Sequence, residues 1–488
     1  MLLSFVILYL ACSVGVGLYA ATRVHNTKDF AVAGRCLPLP VVTATVFATW
    51  FGAETVLGIS ATFVKDGLRA VVADPFGSSL CLILAGLFFA RRLYRLNLLT
   101  IGDFYRSRYN RAVEVLCTLC IVASYLGWVS AQIKALGLVF NVVTEGAMSQ
   151  PAGMVLGALI VLTYTTFGGM FSVAILDFVQ ITIIMGGMLY IGSVISGLAG
   201  GVGTVVAHAA AAGKLEFFPP ARLDLWIPFV GAWVTMMFGS IPQQDVFQRI
   251  TSARDERTAV RGSVLGGALY FFFAFVPMFL AYSATLVDPA QVAGLLAQDA
   301  QLILPTLIVQ HTPMAAQIMF FGALLSAIMS CSSATLLAPS VAFSENIVKG
   351  CVPTMSDAGL LRVMRSVLVG FAGVVLVFAL NSEASIFKMV ESAYKVTLVA
   401  AFVPLLTGLY WPGATTQGAL AGMVAGLGTW LLLETSVTPD HVWPPQLVGL
   451  LVSAAGMVVG SLLPQWIPHS AAMTGPVNQS SLTTSAED

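Results

Sequence analysis

The residues with the chemistry to bind something stand inside long apolar runs. In VVTATVFATWFGAETVLGISATFVKDG, residues 41–67, the small and polar residues Thr43, Thr45, Thr49, Gly52, Glu54 and Thr55 interrupt an otherwise greasy helix. In WIPFVGAWVTMMFGSIPQQDVFQRI, residues 226–250, Gly239-Ser240-Ile241-Pro242 sits at the centre. Proline removes a backbone donor and clashes with the preceding turn, so both runs are candidates for unwound helices. Asp177 is a lone carboxylate within another run, which is costly unless functional. Glu54, Asp74, Lys134, Asp245, Lys388, Glu391 and Lys395 are the other charges inside runs, and the spacing of the last three reads as an internal ion-pair cluster. Tyr125, Trp128 and Gln132 share one face of a helix. Such a face suits a pocket with aromatic walls and an amide, and for Tyr125 and Gln132 it suits plain interhelical contact equally well. All of this is binding chemistry. The five histidines (25, 208, 311, 441 and 469) have neither metal-ligand spacing nor a nucleophile partner, and the seven cysteines read as free thiols. Cys117 and Cys120, one turn apart in an apolar helix, read as packing.

The elements that must position these residues follow from composition. Of 488 residues, 58% are hydrophobic and 9% charged, against about a quarter charged in soluble domains. That excludes an ordinary cytosolic enzyme. With Lys+Arg at 23 and Asp+Glu at 23 there is no basic surplus for nucleic acid. Apolar runs long enough to cross a hydrocarbon layer of about 30 Å lie at about 2–22, 39–65, 71–96, 113–143, 150–168, 170–199, 226–250, 262–287, 313–348, 360–380, 386–411, 415–434 and 446–467. The expectation is an all-α membrane protein of about thirteen transmembrane helices, with the lipid bilayer as its solvent. The first run lacks the basic flank and cleavage site of a signal peptide and reads as a retained span.

Alternate loops differ in charge. One set carries sixteen cations, from Arg23 through Arg91, Arg92, Arg95 and Arg254 to Arg365, and counts Arg249 among them; the other carries Lys65, Arg69, Lys214 and Arg222. The positive-inside rule puts the basic set in the cytoplasm, the amino terminus outside and the carboxyl terminus inside. Residues 1–468 read as a single transmembrane domain, and 469–488 as a short disordered cytoplasmic tail. Two interrupted spans, each beginning a set of five, point to inverted repeats over about 39–199 and 226–411 and so to a secondary transporter.

The wording of several segments resembles the sodium:solute symporter family, and within it the choline-transporter branch. These are ATW at 48–50, LILAGLFFAR at 82–91, FGGMFSVAILDFVQ at 167–180, FQR at 247–249, LLSAIMSCSSATLLA at 324–338 and VPLLTGLYWPG at 403–413. The resemblance implies a LeuT-like fold and sodium-coupled symport of a small polar organic solute into the cell. It implies a Na+ site formed by the carbonyls of Ala48, Phe51 and Ala327 and the hydroxyl of Ser330, with Cys331 where the family has a fifth oxygen. A hard cation wants oxygens, and a thiol is too soft to replace one well. Asp177 corresponds to a family aspartate on the inner ion path. Of four aromatic cage positions in the choline branch, two keep rings here, Trp50 and Trp128, while the others read Ser78 and Gln243. The expected substrate pocket is therefore Trp50, Ser78, Tyr125, Trp128, Gln132 and Gln243. Two other readings fit the residues: a proton-coupled carrier, suggested by Cys331, Glu54 and Lys134, and a non-transporting solute sensor, for which the tail offers no output domain.

Overall fold

The computed structural model describes residues 2–436 and 442–467, so the expected tail at 469–488 lies outside it. Twelve helical units cross the bundle: α1 (Leu2–Ala21), α2 (Leu39–Trp50 and Glu54–Asp66), α3 (Leu68–Arg95), α4 (Arg111–Val143), α5 (Gln150–Leu198), α6 (Leu223–Gly239 and Gln244–Ser252), α7 (Glu256–Val287), α8 (Met314–Cys351), α9 (Asp357–Asn381), α10 (Ile386–Tyr410), α11 (Thr416–Ser436) and α12 (Pro445–Leu462). The described residues form no strand, only an isolated bridge between Leu37 and Ala253. At 1.5 Å per residue α5 would reach roughly 70 Å, more than twice the hydrocarbon thickness, so it has to be two crossings. Gly169 supplies the break, with φ 47° and ψ −138°. Counted this way the described residues supply thirteen crossings.

Both anticipated interruptions are present. The two pieces of α2 meet at 52° and those of α6 at 46°. Among the unbroken spans α8 is the most enclosed, packed against α2, α4 and α5. α1, α9 and α12 turn large apolar side chains such as Leu8, Val377 and Leu462 outward. An apolar face toward lipid costs nothing, so such helices need only one inward stripe of small residues.

The cation-rich loops gather at one end. Arg91 and Arg95 both pair with Glu256 at 2.8 and 2.7 Å, Thr27 donates to Asp357 at 2.5 Å, and Arg108 Nε reaches the Gly408 carbonyl at 3.0 Å. Arg69 pairs with Glu216 at the other end, where Lys134 caps the carbonyls of Ser382 and Ala384. Two expectations need correction. Arg249 is no loop cation, because it is buried inside the bundle. The cluster at Lys388, Glu391 and Lys395 divides: Lys388 pairs with Glu391, but Lys395 reaches Glu434 of α11, since residues 388 and 395 lie two turns apart and each finds its own acid.

A methyl group at Gly169 would meet the Phe30 carbonyl at 2.5 Å, on top of a backbone conformation that side chains avoid. Gly169→Ala is expected to destabilise the protein by about 1–3 kcal/mol, read as a lower melting temperature in detergent. Gly15→Ala, where nothing lies within 4 Å of the added carbon, should leave melting unchanged or raise it slightly. Equal melting of the two variants would remove the requirement for glycine at the break.

Candidate functional site

One face of α4 ties the two interruptions together. Trp128 Nε1 donates to Glu54 Oε1 at 3.0 Å, and Gln132 Nε2 donates to Glu54 Oε2 at 2.5 Å. The Gln132 carbonyl accepts the backbone N–H of Ala53 at 3.0 Å, satisfying a donor that the bend leaves unpaired. A turn earlier, the Tyr125 hydroxyl donates to the Asp245 carboxylate and accepts the Asp245 N–H at 2.9 Å, while Ser124 and Gln243 are 2.9 Å apart. The shared face of Tyr125, Trp128 and Gln132 is thus real, and it is held to both broken helices rather than to a neighbouring straight one.

Aromatic rings close over this meeting point. Trp50 lies 5.3 Å from Trp128 and stacks on Tyr394 of α10 at 5.9 Å and 11°; Tyr394 is 5.5 Å from Trp128, and Tyr125 stacks on Trp128 at 6.0 Å. All four are buried. A cavity of about 10 Å³ beside Trp50, touching Val46, Leu82, Val246 and Arg249, has room for one water.

Behind Trp50 two of the residues expected as ion ligands, Ala48 and Ser330, meet. Ser330 Oγ sits 3.0 Å from the Ala48 carbonyl and donates to Asp177 Oδ1 at 2.5 Å; Thr45 donates to the other Asp177 oxygen. Asp177 is therefore part of this cluster and not merely on a path from it. Phe51 and Ala327 are fully buried on the same two facing segments. Cys331, the next residue on α8, turns the other way. Its thiol is 3.9 Å from Glu54 Oε1 and borders Gly52, where a Cβ would meet the sulfur at 2.9 Å and the Glu54 carboxylate at 2.6 Å.

Two expected pocket residues are engaged elsewhere. The Ser78 hydroxyl donates to Asp74 and to the Pro75 carbonyl, in a chain that continues from Asp74 to Tyr270 at 2.6 Å and Thr55 at 2.9 Å. Gln243 is taken up by Ser124 and by Thr397 at 3.2 Å. The fourth ring, Tyr394, escaped the sequence reading, Thr45 was read only as a polar interruption of its run, and Arg249, read as a loop cation, is buried and donates to Thr49 Oγ1 at 3.0 Å and to the Asp245 carbonyl at 3.3 Å. The signal for Tyr394 was its place in the inward stripe Phe387, Val390, Tyr394, Thr397 of α10, where polar hydroxyls interrupt apolar spacing.

Residues 30–426 match the model of the sodium:solute symporter family. The human high affinity choline transporter 1 is 28% identical over 87% of this chain and 75% of its own. The sodium/glucose cotransporter of Vibrio parahaemolyticus is 26% identical over 88% of this chain and 84% of its own. Among solved structures, a Na+-coupled sialic acid symporter superposes with TM-score 0.80 at 18% identity, covering 94% of this chain and 97% of that one. The nucleobase-cation-symport-1 family transporter Mhp1, in a closed conformation, gives TM-score 0.61 at 12% identity over 88% and 94%.

Removing the Gln132 amide leaves a buried charge and a backbone donor short of partners. Gln132→Leu should cost about 2–3 kcal/mol of unfolding free energy. Glu54→Met combined with Gln132→Leu should recover part of that, because no charge is then stranded. Strict additivity of the two substitutions in detergent unfolding would show that the contact carries no energy.

Proposed function

The chain belongs to the sodium:solute symporter family, and from that premise we propose a seat for each of its two cargoes. It is a multi-pass membrane protein of LeuT-like fold, and it couples sodium to the symport of a small organic solute. Its family is one of transporters, and no catalytic step is assigned to it. Sodium is placed against Ala48, Phe51, Ala327 and Ser330. The observation that carries this is the Ser330 hydroxyl lying 3.0 Å from the Ala48 carbonyl and 2.5 Å from Asp177, so that a carbonyl, a hydroxyl and a carboxylate meet between α2, α5 and α8. Asp177 supplies the charge that carbonyls lack, and Cys331 completes no oxygen shell. The solute is placed among Trp50, Trp128, Tyr125, Gln132 and Gln243, with Tyr394 as a further wall and Ser78 behind it. Relatives named for choline fit a ring-lined pocket, since ring faces attract cationic groups.

Residues 1–468 act as one domain built of repeats at about 39–199 and 226–411, and uptake is inward by alternating exposure of the midplane site. The amino terminus is outside and the carboxyl terminus cytoplasmic. The clustering of basic loops at one end supports this orientation. A fluorescent reporter fused after Asp488 should be active only in the cytoplasm; an external signal would reverse the orientation.

Sodium titration of the purified protein, followed by thermal stability at constant ionic strength, tests the ion seat without a solute. Cys331→Ser, at a side chain that faces Glu54 and not the ion ligands, should leave the half-maximal sodium concentration within about twofold of the native value. Ser330→Ala should raise it or abolish the response. A sodium response unchanged by Ser330→Ala would move the ion away from these residues.

A further inference from the structure

Four carboxylates, Glu54, Asp74, Asp177 and Asp245, are buried away from the basic end of the bundle, and Arg249 is the one buried cation near them. Among the described residues none of the five takes part in an ion pair within 4.0 Å. Arg249 and a sodium ion beside Asp177 supply two positive charges against the four carboxylates, and the site is still short of two. Buried charges persist when something pairs with them.

The shortage is sharpest at Glu54. It is 2% exposed, and its donors, Trp128, Gln132 and the more distant Cys331 thiol, are neutral. A carboxylate has about four acceptor positions, so each oxygen keeps capacity beyond its one strong bond. Against it stand the rings of Trp50, Trp128 and Tyr394, mutually within 5.9 Å. The Tyr394 hydroxyl, at the end of a side chain buried to 1% exposure, has no hydrogen-bond partner, and neither does Asp245 Oδ2. Two unpartnered polar atoms and an uncompensated carboxylate around one ring cluster describe the complement of a ligand, and that ligand is positive.

We infer that Glu54 is the counter-ion of the transported solute, and that the solute is an organic ammonium whose nitrogen carries at least one hydrogen. The inference rests on the solute seat proposed above. The rings accept the alkyl shell of the cation, while an N–H donates to a Glu54 oxygen in a charge-assisted bond that a quaternary nitrogen cannot form. The Tyr394 hydroxyl and Asp245 Oδ2 then serve a polar group at the far end of the solute.

Three probes of nearly equal shape separate the terms: protonated dimethylethanolamine, quaternary choline and the neutral 3,3-dimethylbutanol. Binding to the purified full chain in sodium is read by tryptophan fluorescence and calorimetry. The expected order is dimethylethanolamine several-fold tighter than choline, with the neutral alcohol at least tenfold weaker than either. Glu54→Gln should weaken both cations tenfold or more, and Glu54→Asp should restore part of the loss; each variant's own melting transition shows that it is folded. Equal binding of the alcohol, a Glu54→Gln variant that binds like the native chain, or no saturable binding of either cation at millimolar concentration overturns the inference. Weakening by Trp50→Ala and Trp128→Ala without weakening by Glu54→Gln keeps the seat and removes the charge pairing. Binding unchanged in both tryptophan variants removes the seat itself.

Discussion

A helix can be interrupted inside a bilayer only where protein groups take over the hydrogen bonds its backbone gives up, and here one face of α4 does that for both interruptions at once. Gln132 receives the Ala53 N–H while holding Glu54, and Tyr125 receives the Asp245 N–H while holding its carboxylate. The two broken helices lie far apart in the chain, at residues 39–66 and 223–252. Their relative position is therefore set by a third element whose side chains face both. Any movement of α4 against either break opens the ring cluster, because Trp128 belongs to the cluster and to the Glu54 clasp together.

The closing of the rings over the buried carboxylates follows from the same arrangement. In a region of low dielectric, an unpaired carboxylate is expensive and a paired one is strongly held. Hydroxyls, amides and an indole N–H hold the carboxylates in place of lysines and arginines. Neutral donors fix the geometry of an acid without cancelling its charge. That leaves the charge available to a mobile cation, which a permanent ion pair would not.

Much of this could be read from the chain. Spans declare themselves because lipid demands about twenty apolar residues in a row, and the bends at residues 51–53 and 240–243 because glycine and proline in such runs have few other uses. Even the division of α5 was legible, since the apolar stretch is too long for one crossing. The partners of each polar group were not. Ser78 occupies a position that lines a cage in the resembled branch, yet Asp74 lies one turn before it and captures its hydroxyl locally. Arg249 sits next to a loop in sequence, but the loop follows a short buried helix, Gln244–Ser252, so position relative to the apolar run misplaced it. Tyr394 comes from α10, some 340 residues from Trp50, and only the fold puts the two rings together.

In the proposed seating, adjacent residues of α8 would link the ion to the solute. Ser330 faces Ala48 and Asp177, whereas Cys331 faces Gly52 and Glu54. The two side chains thus bracket the bend of α2, one on the cation side and the other on the ring side. An ion drawing in the carbonyls of Ala48 and Phe51 fixes the backbone that immediately carries Trp50 before the bend and Glu54 after it. A solute that pulls on Trp50 and Glu54 fixes the same backbone and presents the same carbonyls. Because binding free energies are linked reciprocally, each ligand must tighten the other by the same factor. On that proposed seating the linkage needs no long pathway: the three residues between the pieces of α2, 51–53, are common to both sites, and neither ligand could be seated without settling their conformation.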